Sequence, residues 1–239
     1  MFAALANPHR FMAFSRWAAP AFGAAAVLAI GIGLWLGLSG PPDYQQGTTV
    51  RIMYIHVPAA FTAMAAYACL GGASFFSLVY RHALADAAAR TAAPLGAAFT
   101  FLALVTGSLW GRPMWGTWWV WDARLTSVLV LLLLFIGYIA LRAAIDDEAR
   151  AARAAAILAL VGLVDLPIIK FSVVWWNTLH QGESIFRPGG PTIAAVFLVP
   201  LGFMAAGYLC AFAALWLERT RGEVWRRRAQ ALEVQAAGA

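Results

Sequence analysis

The chain has 239 residues, of which 62% are hydrophobic and only 12% charged. A water-soluble domain of this size needs a polar shell over its core, and its apolar share is usually about 45–50%; a soluble fold is therefore excluded and lipid must serve as part of the solvent. The formal net charge of +6 suggests nucleic acid, but 16 of the 17 basic residues are arginines, mostly in short connections between apolar runs, whereas nucleic-acid binders present an exposed basic face. No nucleic-acid partner is expected.

Five long runs carry no Asp, Glu, Lys or Arg: Trp17 to Leu38, Val57 to Tyr80, Thr91 to Gly111, Leu125 to Leu141 and Pro188 to Leu217. A sixth, near Ala154 to Val174, is interrupted by Asp165 and Lys170. About 20 apolar residues in a helix cross about 30 Å of hydrocarbon, and a helix satisfies its own backbone there. The sequence thus predicts an all-α integral membrane protein, a six transmembrane helix bundle over residues 17–38, 57–80, 91–111, 124–144, 154–174 and 192–217. Residues 1–239 form a single membrane domain, with a Trp-rich interfacial segment at 112–126 and a basic tail at 218–239. The first run is too long for a cleavable signal peptide and ends in a poor cleavage site. With the N-terminus inside, 12 basic residues face the cytoplasm and 5 lie on or near the opposite face. The positive-inside rule then places both termini in the cytoplasm, with the basic tail near anionic lipid.

Cys69 and Cys210, the two cysteines, sit inside apolar runs, which argues against a disulfide framework or a thiolate metal site. The outward segments hold the unusual residues. Trp110, Trp115, Trp118, Trp119 and Trp121 fall within twelve positions, and Trp175 and Trp176 close the fifth span. An aromatic belt accounts for Trp17, Trp35, Trp216 and Trp225, but it needs one or two rings per helix end. At i, i+3, i+4, i+7 spacing, Trp115, Trp118, Trp119 and Asp122 share a face if the segment is helical, which predicts an interfacial helix offering an indole shelf to a large flat ligand. His9 and His82 fall on the cytoplasmic side, while His56 and His180 flank the shelf. The outward pair reads either as two interfacial polar residues or as the two axial imidazoles of a low-spin haem. Zinc would need further nitrogen, sulfur or carboxylate ligands. Asp122, just before an apolar run, is expected to cap the fourth span. Gly71, Gly72, Gly202 and Gly207 read as helix-packing positions.

At Trp115-Gly116-Thr117-Trp118-Trp119-Val120-Trp121-Asp122-Ala123-Arg124-Leu125-Thr126-Ser127 the chain resembles the tryptophan-rich WWD motif of haem handling proteins. It is most similar to the CcmC family, the haem-delivery component of the bacterial cytochrome c maturation system, and the likeness extends over nearly the whole chain. The resemblance implies haem b, held at the periplasmic face of the bacterial inner membrane and delivered to a periplasmic haem chaperone, without turnover chemistry. It also implies ABC transporter subunits and a small single-span membrane subunit as partners within the lipid bilayer. By position, His56 and His180 match the axial ligands, and Trp115, Gly116, Trp118, Trp119, Trp121 and Asp122 match the haem platform. Haem carries two propionates; Arg51, Arg112, Arg124 and Arg187 are the outward cations that could clamp them, with Arg124 favoured beside the shelf at a helix N-terminus. A bis-His electron-transfer membrane subunit is the alternative, although such subunits hold haem within the bundle. A transporter conducting at Asp165 would leave the tryptophan cluster unexplained.

Overall fold

The computed structural model describes residues 7–180, 182, 184–185 and 188–237. It consists of α1 (Pro8–Ser39), a 3-10 turn (Thr48–Ile52), α2 (Met53–Tyr80), α3 (Ala83–Trp115), α4 (Ala123–Ala144), α5 (Glu148–Gly162), α6 (Asp165–Trp175) and α7 (Ala195–Ala237). With the 3-10 turn joined to α2 and α5 joined to α6, these give six helices long and apolar enough to cross a membrane. The protein is an all-α six-span bundle.

The helices exceed the charge-free runs at both kinds of end. Asn7 accepts the His9 N–H and Pro8 occupies the first turn of α1, so the helix starts before Arg10 and Arg16 and carries both on its emerging turns. α2 begins at Met53, which places His56 inside the helix instead of in the preceding loop. α7 runs unbroken to Ala237, so the basic tail continues the last span as helix.

The fifth span is two pieces. Pro167 lacks the N–H that would bond back to Leu163, and the chain tightens there into i→i+3 bonds: Leu163 to Leu160, Val164 to Val161 and Leu166 to Leu163. Asp165 opens α6 without a side-chain capping bond, and its Oδ2 is buried with no partner among the described residues.

Small residues let the helices approach closely, as expected where lipid gives no hydrophobic drive between them. The core gathers Tyr67, Leu70, Leu131, Phe135 and Tyr138 with alanines of α2, α3 and α5. A Cβ on Gly71 would come within 2.6 Å of Leu163, and one on Gly207 within 2.6 Å of Ile30. Gly72 and Gly202 do not act this way: a Cβ on either meets nothing within 4 Å, because both point away from neighbouring helices.

A second cluster, Val50, Met53, Tyr54, Leu201 and Met204, ties the 3-10 turn and the start of α2 to α7. It fixes the end of the bundle from which His56 projects.

Candidate functional site

His56 lies in the first turn of α2 and turns toward α3. Its Nδ1–H donates to the Ala103 carbonyl at 2.9 Å, with Thr106 Oγ1 at 3.3 Å. A carbonyl only accepts, so this bond fixes the tautomer and leaves Nε2 with a free lone pair. Space for the ring comes from Gly107, where a Cβ would stand 2.8 Å from His56 Cε1. The Trp110 ring meets the imidazole edge-on at 5.7 Å, and its indole N–H donates to Gln46 Oε1 at 2.9 Å.

His180 is held differently, on the loop beyond α6. Its Nδ1–H donates to Asp122 Oδ2 at 3.3 Å, and its backbone N–H donates to Thr178 Oγ1 at 3.1 Å. The Thr178 hydroxyl donates in turn to Asp122 Oδ2. Asp122 therefore serves two ends at once, since its Oδ1 accepts the Leu125 N–H at 2.8 Å and caps α4. Burial would raise the Asp122 carboxyl, but the Leu125 N–H, Thr178 and His180 together hold it below the usual carboxylate value. Burial pulls the His180 imidazole below its ordinary value, against the opposing pull of Asp122. A neutral His180 with Nδ1 occupied again leaves Nε2 as the free ligand atom. Trp115 packs against this ring at 4.8 Å.

The tryptophan segment is not the expected interfacial helix. α3 stops at Trp115, Gly116 takes the left-handed conformation at φ 76°, and its N–H bonds to the Arg112 carbonyl. Residues 116–122 are irregular. A glycine just past a helix end adopts this conformation at little cost, so the helical face shared by Trp115, Trp118, Trp119 and Asp122 never forms. The indoles are arranged instead by local bonds. Ser108 holds the Trp118 carbonyl at 2.8 Å, Thr117 holds the Trp119 carbonyl at 3.1 Å, and Trp119 and Trp121 meet edge-on at 5.4 Å. Trp118 and Trp121 remain exposed. Trp119 Nε1 is buried without an acceptor among the described residues.

Arg124 is turned toward the body of the bundle. Its Nε donates to Ser172 Oγ at 3.0 Å, and Nη2 donates to the carbonyls of Ile169 and Lys170 at 3.1 and 3.3 Å. It joins α4 to α6, and so fixes where the His180 loop begins. Arg112 bonds the Gly116 carbonyl and lies over the Trp118 ring. Arg51 has a buried Nε with no partner among the described residues, and Arg187 lies outside the described residues.

Gly107, Thr106 and Thr178 were not singled out from the sequence. Thr178, two residues before His180, carried a weak signal as a short hydroxyl side chain able to bond the local backbone. Gly107 carried none, because nothing in an apolar run marks which glycine faces an imidazole 51 positions away.

Among the described residues no group of three His, Cys, Asp or Glu could hold a metal ion, so a bare metal site finds no ligand set. Two imidazoles with free Nε2 atoms, an unsatisfied indole N–H and exposed indole faces fit the donor set and apolar faces of a haem. Residues 1–235 match the family CcmC, described as Heme exporter protein C. Three relatives bear that same name. That of Bradyrhizobium diazoefficiens is 55% identical over 233 residues, covering 98% of this chain and 89% of the relative. That of Escherichia coli K12 is 50% identical over 218 residues, covering 91% and 88%. That of Paracoccus denitrificans is 44% identical over 228 residues, covering 95% of each. The chain belongs to the CcmC family.

Proposed function

We propose that this chain holds haem b between His56 and His180 at the periplasmic face of the bacterial inner membrane and passes it to a periplasmic haem chaperone. Membership of the family makes it a haem-transport component of cytochrome c biogenesis; the geometry of the site supports the finer reading. The observation that carries the reading is the matched treatment of the two imidazoles, each bonded at Nδ1 to an acceptor and each presenting Nε2. A ligating histidine is normally held this way through its second nitrogen. Trp115, Trp118, Trp119 and Trp121 form the apolar platform, and Gly116 turns the chain so that the platform can follow α3. Asp122 orients His180. Arg124 serves the site by holding α6, while Arg51 and Trp119 offer buried donors to propionate oxygens.

Releasing haem needs only one axial bond to open, and a chaperone side chain can then take the vacated position. The chain forms and breaks coordination bonds without turnover chemistry. Its partners are the ABC transporter subunits and the small single-span subunit alongside it, and both its termini are cytoplasmic. The electron-transfer alternative is disfavoured, since His180 stands on a loop beyond α6 and not between spans.

An absorption spectrum of the purified protein, with and without reductant, tests this reading. Wild type is expected to show a low-spin bis-imidazole haem. His56→Gly and His180→Gly should each lose that spectrum and stop chaperone loading, with added imidazole restoring part of the binding. Substitution of His9 or His82 should do neither. An unchanged low-spin spectrum in either glycine variant removes that histidine from the iron. Labelling of single cysteines at the exposed positions Pro42, Gly182 and Ala83 reads the orientation, the first two from the periplasm and the third from the cytoplasm.

A further inference from the structure

The end of the bundle opposite the histidines holds a cavity of about 420 Å³ between α3, α4 and α7. Its walls are of two kinds. Pro94, Ile139 and Ala143 give an apolar side, whereas Arg90, Arg142, Arg219 and Arg226 bring four guanidinium groups to the same space.

The carboxylates nearby are already occupied. Glu223 accepts from Arg226 at 2.6 Å and from Arg227 at 2.8 Å. Asp86 pairs with Arg142 and Arg227, both at 2.6 Å. Glu148 lies 3.2 Å from Arg90 and within 3.6–3.7 Å of Arg142, Arg226 and Arg227. Five arginines (Arg90, Arg142, Arg219, Arg226, Arg227) against three carboxylates (Asp86, Glu148, Glu223) leave a formal excess of two positive charges. Two features leave donors at the cavity open. Arg219 forms no ion pair among the described residues. Arg142, its side chain only 4% exposed and its two Nη groups held by Asp86, keeps Nε buried with no partner among the described residues. A buried guanidinium N–H without an acceptor is costly, and the planar fork of arginine matches the oxygens of a phosphate.

The apolar wall narrows the source of that phosphate. The cavity opens between helices of a membrane bundle, at the end where arginines mark the edge of the hydrocarbon, and Ile139 is partly exposed beside it. Basic pockets between spans at this level take anionic lipid headgroups. A soluble anion would use the arginines and leave Pro94 and Ile139 idle.

We propose that this cavity binds the phosphate group of an anionic phospholipid, seated on Arg142, Arg219 and Arg226 with an acyl chain along Pro94 and Ile139. Gly222 also lines the cavity, and a Cβ there meets nothing within 4 Å. A side chain at this position therefore starts in open space at the cavity wall, clear of the ion pairs at its Cβ.

The test uses the full chain, purified in detergent and stripped of lipid. It is titrated with phosphatidylglycerol, phosphatidylcholine or inorganic phosphate, and binding is read by native mass spectrometry and by the shift in Tm. Phosphatidylglycerol is expected to bind and raise Tm, with phosphatidylcholine and inorganic phosphate ineffective at the same concentration. Arg219→Gln should weaken phosphatidylglycerol binding about fivefold, the loss expected for one arginine at a membrane surface. Gly222→Trp should abolish it while leaving the lipid-free Tm near that of wild type. If Gly222→Trp fails to fold, Arg219→Gln decides alone, since that side chain is exposed and forms no ion pair among the described residues. Equal binding of phosphatidylcholine overturns the proposal, as does unchanged binding in Arg219→Gln or in a folded Gly222→Trp. A Tm rise with inorganic phosphate equal to that with lipid assigns the cavity to a soluble anion and overturns the lipid reading.

Discussion

His56 and His180 are held by supports of different stiffness. His56 sits within a membrane helix, its Nδ1 on a backbone carbonyl of α3 and its ring fitted against Gly107. His180 sits on a loop, and its position depends on two side chains, Asp122 and Thr178, which are bonded to each other. A backbone carbonyl in the middle of a helix cannot move without unwinding that helix, whereas a side-chain carboxylate can swing by rotating. The difference separates an anchor from a latch: in the proposed haem site, His180 is the side built to let go.

Cutting the latch at its centre should have the largest effect. Asp122→Ala removes the acceptor for His180 and Thr178 together with the cap of α4, and haem occupancy read from the absorption spectrum is expected to fall about 10- to 100-fold, the usual cost of losing such an outer partner. Asp122→Asn keeps the cap and should fall less. If Asp122→Ala retains wild-type occupancy, His180 is not oriented by the carboxylate. Next comes the anchor. Gly107→Ala drives a methyl against a ring that its hydrogen bond prevents from retreating, and about a tenfold loss is expected from a misplacement of this size. An unaffected Gly107→Ala protein would mean that the anchor yields as easily as the latch.

Thr178→Val should be milder, roughly fivefold, because Asp122 still reaches His180 directly and a lost hydrogen bond of this kind contributes only about 1 kcal/mol. The smallest effect is a titration. Burial keeps His180 neutral until the pH drops below its ordinary value of about 6.5. The unfolded chain takes up that proton first as pH falls, so the same group weakens the fold below about 6.5 and has no such effect above it. Asp122 raises the His180 pKa, so Asp122→Asn should move the imidazole midpoint of the haem-free protein further down, measured by NMR. A midpoint that rises would show that the carboxylate does not act on this ring.

Much of this was legible beforehand, for definable reasons. Five charge-free runs of span length, and a sixth broken only by Asp165 and Lys170, give six helices because the hydrocarbon core tolerates little else. The Asp before an apolar run gives the α4 cap because few other residues satisfy the first turn. The flanking histidines could be set on one face because topology alone places both loops there. What failed was the wheel drawn through the tryptophans. Periodicity at 3.6 residues describes any sequence forced onto a helix, and Gly116 carried the opposing signal of a helix stop. The ion pairs that bind the polar stretch after residue 217 to the bundle were not legible, because its partners, Asp86 and Glu148, are remote in sequence. Arg124 faced the same difficulty: nothing local tells that a guanidinium beside a binding motif will turn to carbonyls 45 positions away.

The interruption between α5 and α6 has a mechanical meaning for the latch. α6 has 11 residues, a stiff rod about 16 Å long, pivoted where the hydrogen-bond ladder is broken and steered by Arg124 from α4. At its free end it carries the Trp175–His180 loop. For a lever of that length, a tilt of about 7° at the pivot carries the tip through about 2 Å. A metal–nitrogen bond is about 2 Å long, so in the proposed haem site a small rotation of α6 would withdraw His180 while His56 stays where it is.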